Sequence, residues 1–210
     1  MNDRDHHERD HNRRREHTER LAREAARLYH EGKSSTVADA VRKAAQLLGV
    51  QAGETPSLGR VRKHVQAMSM EAMGADAYHE AMNARLGAAE QLMAALDEHD
   101  AGVPIFLVGR AAKGQLDADT TLHIRIFTDA PIEELAQTIV DLGYEEPKFE
   151  TLSTRLGKLN RIRFYDEEGD AEIALTRCLP AMLKSAQQDL FTNAPIATLT
   201  LKQLRAAISA

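Results

Sequence analysis

The hydrophobic period changes at Gly102, and that change limits the folds open to this chain. Before it, apolar residues recur at intervals of three and four. After it, short runs rich in β-branched and aromatic residues are separated by turn residues. The pattern predicts an α+β fold, with an N-terminal helical region followed by a mixed β-sheet that carries helices on one face. At 210 residues the chain suits one large domain or two small ones and is long enough to bury a real core.

Residues 1–17 are almost wholly polar and too poor in apolar side chains to offset the entropy of ordering, so composition predicts a disordered or frayed arm. His6, His7, His11 and His17 follow no closed metal-site spacing, and acids flank Arg13, Arg14 and Arg15. The helical region is expected over 18–100. Leu21, Ala25, Leu28 and Tyr29 form a first stripe, ended by Gly32. Thr36 and Asp39 resemble a capping box before a second helix with Val37, Val41, Ala44, Leu47 and Leu48 inward, closed by Gly49. A third helix starts near Leu58. A fourth, with Asp76 as its N-cap, runs to about Glu98 with Met82, Leu86, Ala89, Met93 and Leu96 on one face. The methionines read as core filler in an aromatic-poor helical layer.

Lys and Arg number 27 against 32 Asp and Glu, and a net charge of −5 gives no global attraction to nucleic acid. The sequence has no apolar stretch of membrane-spanning length and no signal peptide, so a cytoplasmic protein with no membrane partner is expected. Cys178 is the only cysteine; it reads as a structural thiol in a reducing compartment.

In the second half, 101–210, strands are expected at Ile105–Val108, Leu122–Phe127, 149–155, 161–165 and 172–176, with a helix at 131–142 and short helices at 180–189 and 199–208. Strand alternation sends Leu122, Ile124 and Ile126 to one face and Thr121, His123 and Arg125 to the other. Asp117-Ala118-Asp119 forms a D-x-D before the second strand and reads as a polar turn. Arg155, Lys158, Arg161 and Arg163 give a basic stripe, with Phe164 and Tyr165 nearby for stacking. Glu150, Asp166, Glu167 and Glu168 dilute it.

The first strand leads into Gly109-Arg110-Ala111-Ala112-Lys113-Gly114. Residues 103–129 thereby resemble the opening of the nucleotidyltransferase fold, which reads strand, G-S-x-x-x-G, then D-x-D on a second strand. The resemblance implies a nucleotidyltransferase-like domain over 101–210. It places two metal-binding aspartates where Thr121 and His123 stand, a phosphate-contacting serine where Arg110 stands, and a third acid at Glu172. Two-metal transfer holds Mg²⁺ ions on carboxylates; a hydroxyl, an imidazole and the nearby Arg125 guanidinium cannot replace them. A second resemblance runs along most of the chain, to a group of largely uncharacterised bacterial nucleotidyltransferase-like proteins. A helical hairpin around 24–28 and 41–49, the Pro56-Ser57 step, and the strand at 171–176 carry it.

Three functional readings follow. The first is a non-catalytic descendant that binds a nucleotide, another phosphate ligand, an RNA end or a protein partner. It would need no metal or cofactor and would use Gly109, Arg110, Lys113, Gly114, His123 and Arg125. The second is a working Mg²⁺ enzyme rebuilt on Asp117, Asp119 and Glu172. The third is a nucleic-acid-binding module on Arg155, Lys158, Arg161 and Arg163. Self-association through the helical half is open in each.

Overall fold

The computed structural model describes residues 3–50, 55–116, 120–144 and 147–209, with side chains from residue 13 onward. The chain divides into two units, Met1–Tyr78 and His79–Ala210. Among the described residues no helix is long and apolar enough to cross a membrane.

The first unit is built on α1 (Asp3–His30), α2 (Val37–Leu48) and α3 (Leu58–Met73). Leu21, Ala22, Ala25, Ala26 and Leu28 of α1 meet Val37, Ala40, Val41 and Ala44 of α2 and Val61 and Val65 of α3. The small alanines let the helix axes approach closely. α1 opens at Asp3, inside the segment that composition assigns to an arm. Arg23 lies 3.7 Å from Glu19, an i,i+4 pair that supports the helix at the edge of its apolar stripe. Thr36 caps α2 by accepting from the Asp39 N–H at 3.1 Å. The Asp39 carboxylate turns instead to Arg42 and Lys43, so only half of the expected box forms. Leu47, expected inward, is 66% exposed; it lies roughly a quarter-turn from the line through Val37, Val41, Ala44 and Leu48. Gly49 ends α2 at φ 64°, a left-handed conformation.

α4 (Ala75–His99) starts one residue before Asp76, which falls in the first turn rather than at the cap. Residues 79–99 cluster with the sheet and not with the preceding helices. Leu86, Ala89, Leu92, Met93 and Leu96 of α4 enter the second core, which bears out the packing expected for Met93.

The sheet has six strands: β1 (Ile105–Val108), β2 (Leu122–Phe127), β3 (Lys148–Thr154), β4 (Gly157–Asp166), β5 (Ala171–Cys178) and β6 (Thr198–Leu199). Their order is β3-β4-β5-β2-β1-β6. β2 and β5 run parallel and the other neighbours antiparallel, so the sheet is mixed as expected. Ile105, Leu107, Leu122, Ile124, Ile126, Ile162, Phe164, Ile173 and Leu175 line one face. There they meet α4, α5 (Ile132–Asp141) through Leu135, Ala136 and Ile139, and α6 (Leu201–Ile208) through Leu204.

Three local readings change. The segment expected as a helix at 180–189 is a 3₁₀ turn over Pro180–Ser185 followed by extended chain. Thr198 and Leu199 pair with β1 as a strand too short to show any period, and α6 begins only at Leu201. Thr200 caps it in a full capping box with Gln203. In the hairpin, Arg155 and Leu156 form the turn and Gly157, at φ 105°, opens β4.

Candidate functional site

Because Leu122, Ile124 and Ile126 are drawn under the helices, alternation turns Thr121, His123 and Arg125 to the opposite face. The register then fixes their neighbours. His123 lies between Val108 of β1 and Ala174 of β5, with Arg163 beyond on β4. Arg125 lies between Phe106 and Thr176, followed by Arg161 on β4 and Glu150 on β3. Glu172 of β5 stands two residues before Ala174 on that same face.

Glu172 carries the firmest polar contacts here. Thr121 Oγ1 donates to its Oε2 at 2.7 Å, and the Arg163 guanidinium donates to its Oε1. Arg163 also donates to Glu150 Oε1 at 3.0 Å, so one guanidinium bridges two carboxylates. Burial pushes the Glu172 carboxyl up, but the bonds from Thr121 and Arg163 outweigh it and hold the group below the usual glutamate range. The same two carboxylates hold Arg163 firmly protonated.

His123 is neutral at physiological pH. Burial, then the positive charges of Arg161, Arg110 and Arg125, lower it from 6.5 to about 4, with only Glu172 opposing them. The ring therefore marks a positive potential, to which Arg110 contributes from the loop after β1. That loop turns at Gly109 (φ 82°) and Gly114 (φ 67°), backbone geometry that glycine adopts without strain. Its N–H groups are largely used internally: Gly109 donates to Ala197, Gly114 to Ala111, and Lys113 and Gln115 to Arg110. Lys113, in this loop, is exposed.

Arg125 takes a different place from the one expected. It is 5% exposed, and its Nη1 donates to the Ala186 and Gln188 carbonyls at 3.2 and 2.7 Å. It ties the chain after the 3₁₀ turn onto the sheet. Phe127, Leu159, Cys178, Ala186 and Leu190 form a small core beside it. Burial raises the Cys178 thiol to about 11, as suits a packed rather than a reactive cysteine.

The basic stripe does not assemble as one surface. Arg161 and Arg163 share the Glu172 face, whereas alternation sends Lys158 to the face of Ile162 and Phe164. Arg155 sits in the turn and donates to Gln188 Oε1 at 3.2 Å. Phe164 is 5% exposed against Tyr144, with ring centroids 4.6 Å apart, and offers no stacking platform. Tyr165 is exposed and bonded to Asp170.

Glu150 and Thr176 join the site although their sequence positions gave no such reading. Thr176 Oγ1 accepts from Arg161 Nε at 3.3 Å, and Arg161 Nη1 stays 4.0 Å from Glu150. Once the turn at Arg155–Leu156 is known, counting back along the hairpin sets Glu150 opposite Arg161. Asp117 and Asp119 lie outside the described residues. Among the described residues no three His, Cys, Asp or Glu side chains group as a metal ligand set. The donors beside Glu172 do not fit Mg²⁺, because a hydroxyl and a guanidinium already engage its two oxygens.

No family model matches this sequence, and no curated protein matches it. Among solved structures, the chain is similar to one described as "structure of GLD-2/RNP-8 complex", at 14% identity and a TM-score of 0.38. The likeness covers 56% of this chain and 40% of that one, less than half its length. A superposition that loose fixes neither family nor chemistry.

Proposed function

We propose that this protein is a nucleotidyltransferase-like factor that binds a phosphate-bearing nucleotide ligand without metal and without transferring it. The observation that carries the reading is the use of Glu172: Thr121 and Arg163 take both of its oxygens, where a catalytic acid would present them to a cation. The positive potential at His123, raised by Arg161, Arg110 and Arg125, supports an anion as ligand. Arg110 and Arg161 are the residues assigned to phosphate, with Lys113 at the exposed end of the loop. A guanidinium fork suits phosphate oxygens, which it meets with two parallel donors.

Isothermal titration with nucleotides in EDTA tests this. Binding should persist without Mg²⁺ and weaken in Arg110→Ala and Arg161→Ala. Binding that requires Mg²⁺ would sink it. So would Mg²⁺-dependent transfer of labelled nucleotide to RNA or protein that Asp119→Asn abolishes; that result would establish the enzyme on Asp117, Asp119 and Glu172 instead.

A further inference from the structure

Arg163 occupies a definite chemical place, since it is a fixed positive charge set between two carboxylates, Glu150 and Glu172. In a metal-dependent site, acids on the sheet hold the cation and the cation bridges to the phosphate chain. Here the bridge between acids is made by the protein. A magnesium–triphosphate complex arriving at this face meets a Glu172 already bonded to Thr121 and Arg163, with the guanidinium's positive charge against it. A free triphosphate meets the two carboxylates with no metal to screen them. A phosphate monoester carries about two negative charges at neutral pH and is the smaller demand.

The donors are arranged for such a group. Arg161 lies beside the bridge, half-buried, with side-chain exposure of 15%. Its Nε is spent on Thr176, while Nη1 comes no closer to Glu150 than 4.0 Å, beyond hydrogen-bond range. Among the described residues no hydrogen bond engages the two terminal nitrogens of that fork. They are the pair that grips two oxygens of one phosphate. Thr121 and His123 adjoin this position as neutral groups, and neither adds charge for a longer phosphate chain to use.

We infer that the Glu150–Arg163–Glu172 bridge acts as an internal substitute for metal and makes this site selective for a phosphate monoester, gripped by Arg161, over a triphosphate. The inference rests on the proposed metal-free anion binding and adds the class of ligand.

Titration calorimetry on the full chain in EDTA, using inorganic phosphate, AMP and ATP as probes, reads the selectivity directly. AMP should bind more tightly than ATP, and added Mg²⁺ should leave the AMP isotherm unchanged. In Glu172→Gln, which keeps Arg163 and removes one repelling carboxylate, ATP should gain on AMP by about tenfold. In Arg163→Gln, AMP should weaken and Mn²⁺ should become bound, seen as loss of the free-ion electron paramagnetic resonance signal. Wild-type protein that binds ATP as tightly as AMP, or more tightly, overturns the inference while leaving anion binding intact. An unchanged AMP-to-ATP ratio in Glu172→Gln overturns it even if Arg163→Gln does not fold. If none of the three probes binds, the proposed function itself falls.

Discussion

Below pH 6.5 the His123 imidazole takes up a proton in the unfolded chain but not in the folded one, so acid should destabilise this protein more than its glutamine variant. The folded-state value is about 4, because burial and three guanidinium groups oppose a further positive charge. The gap of about two and a half units, at 1.36 kcal/mol each, corresponds to about 3 kcal/mol. The sign follows from proton counting. Between pH 6.5 and 4 the unfolded state binds more protons, so stability falls as pH falls. The contribution is complete above pH 6.5 and gone below about 4. Urea unfolding of wild type and His123→Gln, followed from pH 7.5 to 4, should show the difference between the two curves shifting by about 3 kcal/mol against wild type. Proton NMR of the histidine ring should show one resonance with a midpoint near 4, absent from the variant. A midpoint near 6.5 for His123, or a stability difference independent of pH, would refute the charged surroundings on which the site reading depends.

Two further outcomes test the packing. Arg125→Ala removes two bonds from a buried guanidinium to the carbonyls of Ala186 and Gln188 and should cost roughly 3 kcal/mol in chemical denaturation; an unchanged midpoint would mean that the segment after β5 holds itself in place. Gly169→Ala would set a Cβ 2.6 Å from Asp166 Oδ2 and 3.0 Å from the Ala84 carbonyl, so about 1–3 kcal/mol should be lost through overpacking. A melting temperature equal to wild type would contradict that close approach to α4.

The caps of α2 and the apolar stripe of α4 were legible because their causes are local. Thr36 and Gly49 act on backbone groups within a few residues, and the apolar stripe of α4 shows in its spacing alone. The assignment of Thr121 and His123 to one face followed from alternation in β2, and the structure places them there. Leu47, β6 and the extended chain after Ser185 were misread for the converse reason. A helical residue at the margin of a stripe, a two-residue strand and a short apolar run carry no periodic signal strong enough to decide them.

What the sequence determined by itself was the alternation of layers: helices before Gly102, a sheet after it, and one strand with apolar residues on one side and Thr121, His123 and Arg125 on the other. Tertiary structure decided what those side chains do. Long polar side chains reach several ångströms, and the strand order β3-β4-β5-β2-β1-β6 selects their partners. It set Arg163 between Glu150 and Glu172 and carried Arg125 to carbonyls more than sixty residues away in the chain. Desolvation and the field of neighbouring charges are sums over that assembled neighbourhood, which is why the neutral state of His123 belongs to the fold and not to any motif.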